Sequence, residues 1–192
     1  MSGGIAQLVA VGAQDAHIVG NPEVSFFRST YKRHTNFAQT VEKQVIQGNP
    51  ATNGMSTVRF ERKGDMLGHV YITNRSPTNS TRVQWKDQIK KVELLIGGQV
   101  IDTQTSEFSQ EIAPVMLSQT YSKSLAAATA NKSAVYPLRF SFCENAQSAL
   151  PLIALQYHDV EIRISWNAVS ATDYEVHAQF VYLDTDERTA LS

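Results

Sequence analysis

Apolar and polar residues alternate in several short runs, and each run predicts a strand. The clearest is 159–166. Val160, Ile162, Ile164 and Trp166 fall on one side, and Asp159, Glu161, Arg163 and Ser165 on the other. Successive strand residues point to opposite faces, so such a run buries one face and wets the other. The same period turns Val58 and Phe60 inward in 57–62, then Val70 and Ile72. It also aligns Leu138, Phe140 and Phe142, and later Val176, Ala178, Phe180 and Tyr182. Residues 41–46 repeat it more weakly. In VELLIGGQVID, Val92, Leu94 and Ile96 enter Gly97-Gly98, and Val100 and Ile101 leave it. A two-residue hairpin turn needs positive φ, which glycine adopts at no steric cost.

These runs amount to about eight strands, the number of a jelly roll. Helical signal is confined to 106–130, with a break expected near Pro114. The polar stretches GNPATNG (48–54) and NRSPTNS (74–80) read as loops. The expected fold is all-β: an eight-stranded antiparallel jelly-roll sandwich with short helices in its loops, preceded by an extended or helical N-terminal arm. The arm takes residues 1–38 and a single jelly-roll domain takes 39–192. Val58, Phe60, Val92, Leu94, Ile96, Phe140, Phe142, Ile162, Ile164 and Phe180 are expected between two four-stranded sheets.

Composition narrows the function. The 192 residues suffice for one domain with a real core, and 42% are hydrophobic, which excludes a disordered chain. Net charge is −1, whereas a nucleic-acid-binding domain carries a basic excess. One cysteine, Cys143, forbids an intrachain disulfide. No apolar run is long enough to span a bilayer, and the N-terminus lacks the basic and apolar regions of a signal peptide. A cytosolic protein, or one assembled in the cytosol, is expected.

Catalytic chemistry finds no constellation. His17, His34, His69, His158 and His177 include no H-x-x-x-H pair. His158 and Asp159 are adjacent and would point to opposite faces. Cys143 has no local nucleophile signature, and Ser118 and Ser141 lie in no nucleophile elbow. Glu42, Glu61 and Glu161 are strand-face carboxylates that nothing in the sequence pairs. GDMLGH lacks phosphate-loop spacing. The reading is a non-enzyme with no cofactor, metal or small-molecule substrate. Asn74, Asn79 and Asn131 match the glycosylation sequon, which chance in polar loops also produces.

One stretch asks for a function. GNPEVSFFRSTYKRHTNFAQT (20–40) sets Phe26, Phe27, Tyr31 and Phe37 among Arg28, Lys32, Arg33 and His34. Aromatics interleaved with bases can grip single-stranded nucleic acid. They can equally be anchors that bury their rings and hold their charges at a rim. The near-neutral charge favours the second reading.

The opening GGIAQLVAVGAQDAHIVGNPEVSFFRSTYKRHTNFA (3–38) closely resembles the start of major capsid proteins of nucleocytoplasmic large DNA viruses, the algal and giant virus type. VELLIGGQVID, LPLIALQYHDVEI and FVYLDTDERT carry the same resemblance further along the chain. It implies a double jelly roll, three copies of which form a pseudo-hexagonal capsomer. This chain matches the first jelly roll only, which puts that trimer in doubt. The resemblance further implies a structural protein of the virion capsid, assembled in the host cytoplasm, that self-assembles into capsomers of an icosahedral shell. Its expected partner is itself, with minor capsid proteins and an inner viral membrane as open candidates. Phe26, Phe27, Arg28, Tyr31, Lys32, Arg33 and Phe37 become subunit-interface candidates. Two other classes stay open: a carbohydrate- or receptor-binding jelly-roll module, and a nucleic-acid-binding protein using the basic-aromatic segment.

Overall fold

The computed structural model describes residues 12, 20, 21, 23–74, 83–116, 135–169 and 173–192. The chain divides into two units, Met1–Thr35 and Asn36–Ser192. In the first, the described residues 23–35 carry no helix or strand, only a turn at 26–28. Among its described residues the second is a sandwich of ten strands: β1 (Phe37–Gln44), β2 (Ile46–Gln47), β3 (Met55–Arg59), β4 (Met66–Asn74), β5 (Ile89–Ile96), β6 (Gln99–Thr105), β7 (Val135–Pro137), β8 (Leu150–Pro151), β9 (Val160–Trp166) and β10 (Tyr174–Leu183).

The first sheet runs β1-β10-β4-β7, with β8 also on β4, and the second runs β2-β3-β9-β5-β6. Every described pairing is antiparallel. Ten strands reduce to the eight expected paths. β1 and β2 are one run that changes sheet at Val45, and β7 and β8 share the same flank of β4. Because Phe37 and Ala38 pair with Leu183 and Tyr182, they belong to the sandwich, not to the arm.

Alternation builds the core as the sequence predicts. Val160, Ile162, Ile164 and Trp166 of β9 are buried, as are Val176, Ala178 and Phe180 of β10. Val58, Phe60, Val92, Leu94, Phe140 and Phe142 join them, while Ile96 is only half-buried at the turn end of β5. Trp85, Tyr136, Trp166 and Tyr174 close one part of the core. Trp166 and Tyr174 approach to 4.4 Å between ring centroids, and Trp85 lies 5.6 Å from Tyr136. Their polar atoms are satisfied: Trp166 Nε1 donates to Ser56 Oγ at 2.9 Å and Tyr174 Oη to Gln88 Oε1 at 2.5 Å. Buried Trp and Tyr need such partners to avoid a desolvation penalty. The β5–β6 turn forms at Gly97 (φ 60°) and Gly98 (φ 80°), as its glycines require.

Three expectations about secondary structure are corrected. Leu138, Phe140 and Phe142 are buried but form no strand. β7 ends at Pro137, Leu138 N makes a last bond to Val70 O at 2.9 Å, and 141–143 curl into a 3₁₀ turn. The strand at 57–62 stops at Arg59, although Phe60 stays buried. The helix does not break near Pro114. A π-turn at Phe108–Ile112 leads directly into Ala113–Met116, so the widened turn precedes the residue that has no N–H to donate. The remainder of 106–130 lies outside the described residues.

Candidate subunit interface

Phe27 N donates to Ser25 Oγ at 3.3 Å, and His34 Nδ1 lies 2.9 Å from Thr35 O. Phe26, Phe27 and Tyr31 are 99%, 100% and 97% exposed, and Arg28, Lys32 and Arg33 are exposed between them. Phe37 is 57% exposed on β1. Aromatic rings of this size carry about 150–250 Å² of largely apolar area each, here left in water.

A cleft of about 580 Å³ opens where the chain crosses between sheets, beside Val45, Arg59, Glu61, Arg62, Tyr157 and Asp159. Its cations are committed. Arg59 Nη2 lies 2.7 Å from Asp159 Oδ2. The Arg62 guanidinium donates to the carbonyls of Leu155, Gln156 and His158, clasping the 155–158 loop. Lys63 does what the sequence left undone: its Nζ lies 2.8 Å from Glu42 and 3.4 Å from Glu61. Glu42 first, then Glu61, hold the Lys63 ammonium above its ordinary pKa. These arginines and the lysine tie loops to strands.

The other candidates are located plainly. Cys143 is buried with Sγ 3.7 Å from Gly68 O, and burial pushes its thiol up to about 11. A thiol so held is not the thiolate that nucleophilic chemistry needs. His177 stacks on Tyr71 with centroids 5.1 Å apart and lies 3.3 Å from Glu175. His34, His69 and His158 are exposed, and among the described residues no group of His, Cys, Asp or Glu is arranged to hold a metal. No helix among the described residues is long and apolar enough to cross a membrane. Asn74 corrects the sequon reading. It closes β4 on the inward side, in step with Val70 and Ile72, and is 3% exposed rather than in an outward loop. Asn79, Asn131 and His17 lie outside the described residues.

The family described as major capsid protein N-terminus matches residues 25–186, from the exposed aromatics to the last helix. The chain belongs to that family. It is 36% identical to a major capsid protein of Pyramimonas orientalis virus over 98% of this chain and 55% of that protein. It is 31% identical to the major capsid protein of Paramecium bursaria Chlorella virus 1 over 98% of this chain and 50% of that one. The chain thus spans about half the length of these capsid relatives. Among solved structures, the PBCV-1 virus capsid superposes with a TM-score of 0.71 at 26% identity, over 87% of this chain and 47% of that one. The Faustovirus major capsid protein shares the fold at 9% identity with a TM-score of 0.60. The sandwich therefore has the capsid jelly-roll fold.

Proposed function

We infer that this chain is a structural subunit of a virion capsid, self-assembling into capsomers of an icosahedral shell, and that the 25–37 segment makes subunit contacts. The observation that carries this is the near-complete exposure of Phe26, Phe27 and Tyr31 in a capsid-family chain. Aromatics and arginine supply most hot-spot energy at interfaces, and a capsid repeats each contact in every copy. Assembly in the host cytoplasm, and contacts with minor capsid proteins or an inner viral membrane, belong to the same reading. It includes no catalytic role: Cys143 is held as a buried thiol, and the cleft's arginines are spent on Asp159 and on loop carbonyls.

Deletion of residues 1–35 tests the reading, because β1 begins at Phe37. The shortened protein is expected to fold and to lose or weaken its oligomer in sedimentation velocity. Phe27→Ala with Tyr31→Ala is expected to act in the same direction. A deleted protein that assembles as the full chain does removes the arm from the interface. Binding of single-stranded DNA that weakens steeply with salt would support the nucleic-acid reading instead.

A further inference from the structure

We propose that Asp65 and Arg188 form a latch that docks the closing helix (Thr185–Leu191) on the sandwich, and that breaking the latch releases this helix as a unit while the sandwich stays folded. The latch works within one copy and does not depend on subunit contacts.

Asp65 is the fixed half. It stands one residue before β4, where the β10–β4 ladder ends at Val181 and Met66. Its N donates to Val181 O at 2.9 Å, and its O accepts from Ile153 N at 3.2 Å. Its Oδ2 accepts from Leu183 N at 2.8 Å. Leu183 pairs with Phe37 of β1 on its other side, so the carboxylate replaces a strand neighbour where β4 has run out. Gly64 permits this approach. A Cβ there would lie 2.8 Å from Phe180 Cβ and 3.2 Å from Val181 O, closer than carbon atoms pack. The carboxylate is thus buried and held from three backbone segments, with Oδ1 left to face the helix.

The helix is the moving half. It has seven residues and buries none of their side chains. A helix so short is not stable alone in water. Its own fastenings are local. Asp184 Oδ1 accepts from Thr185 N at 2.8 Å, Arg188 N donates to Asp184 O at 3.0 Å, and Thr189 Oγ1 donates to Thr185 O at 2.9 Å. Among the described residues, the one polar link from helix to sandwich runs from Arg188 Nε to Asp65 Oδ1, at 3.1 Å.

Burial of one partner makes this link a latch. An ion pair with both partners in water contributes little, because two long side chains must be ordered and salt screens them. Here the Asp65 side chain is 11% exposed and already fixed, and only Arg188, at 54%, has to be placed. A rigid socket and a single hook give a docked state and a released one. Local openings of this kind take the segments with fewest buried contacts, and this helix is such a segment. Two stretches that have no common chemistry in the sequence thereby acquire one: GDMLGH supplies the socket at Gly64 and Asp65, and FVYLDTDERT supplies the hook.

The test uses the full 192-residue chain with a spin label on Ala190→Cys, an exposed position of the helix; Cys143 is buried and stays unlabelled. Label mobility is compared in the parent, Asp65→Asn, Arg188→Gln and the double variant, and circular dichroism checks that each sandwich is folded. Both single variants are expected to free the label to a similar degree, and the double variant no further than either, since the two residues act as one unit. Asp186→Asn, exposed on the same helix, is expected to leave the label as in the parent. Trypsin gives a reading without a label: cleavage after Arg188 in Asp65→Asn is expected to be about tenfold or more faster than in the parent. Equal mobility in the parent and both single variants overturns the latch. So do additive effects in the double variant, or equal loosening by Asp186→Asn. Arg188→Gln alters only a largely exposed side chain, so it decides the matter should Asp65→Asn fail to fold.

Discussion

The side-chain amide of Gln104 holds both backbone groups of Arg139. Gln104 Nε2 donates to Arg139 O at 2.7 Å, and Arg139 N donates to Gln104 Oε1 at 3.3 Å. One residue of β6 therefore imitates a strand neighbour for the segment that has just left β7, and it joins the two sheets at that point. Gln104 is buried, so a leucine there leaves an N–H and a C=O without these partners. The expected loss for Gln104→Leu is about 2–3 kcal/mol. Urea unfolding followed by circular dichroism measures it, and a loss within about 0.5 kcal/mol would show that water replaces the amide.

Ile162 sits at the centre of β9, fully buried, with Val58 on one side and Leu94 on the other. Ile162→Val removes one methylene and is expected to cost about 0.5–1.5 kcal/mol. Ile162→Asp adds an unpaired charge to the same place and is expected to unfold the domain. Thermal melts separate the two. A cooperative melt for the aspartate variant would move Ile162 out of the core.

The sandwich was legible because its central strands are buried on one side. Alternation at Val160 to Trp166 and at Val176 to Phe180 is the direct imprint of a two-faced sheet. The same signal misled at Leu138, Phe140 and Phe142, where all three are buried but Gln104 replaces a neighbouring strand as the backbone's partner. Side-chain-to-backbone pairing between residues 35 apart leaves no local pattern. Asn74 read as a loop residue because it opens a polar run, yet its inward step with Ile72 decides its burial. The arm's aromatics and bases were legible as a cluster. The pairing of Asp65 with Arg188 was not, because the two come together only where β4 and β10 end side by side. Lys63 likewise joins Glu42 and Glu61 across a turn that spacing alone does not reveal.

Cys143 yields a prediction about reactivity. Burial pushes its thiol up to about 11, and its sulfur rests against the Gly68 carbonyl. At pH 8 the folded protein is expected to react with a thiol reagent far more slowly than the urea-unfolded chain, whose cysteine has an ordinary pKa of about 8.5. Rapid labelling of the native protein, at the rate of the unfolded one, would show that this part of the core opens readily. The same inertness makes single introduced cysteines usable as surface probes.

Lys43 and Glu175 link stability to pH. The Lys43 hydrogen bond lowers the Glu175 pKa against the opposing effect of burial, with a smaller contribution from His177. A carboxylate whose folded pKa is depressed stabilises the fold above its unfolded value and loses that contribution as pH falls through the folded value. The window therefore lies at and below the ordinary value of 4.5. Lys43 is largely exposed, so the pair is worth at most about 1 kcal/mol. Lys43→Met keeps the aliphatic stem and removes the charge. Urea midpoints of the two proteins are expected to differ by a small, constant amount from pH 6 to 7. The difference should narrow as pH drops below the ordinary carboxylate range and vanish once Glu175 is protonated in the folded state. Added salt at neutral pH should narrow it too, because an exposed pair is screened. A difference that persists unchanged in acid and in salt would mean that Lys43 acts through its stem, packed on the sheet, rather than through Glu175.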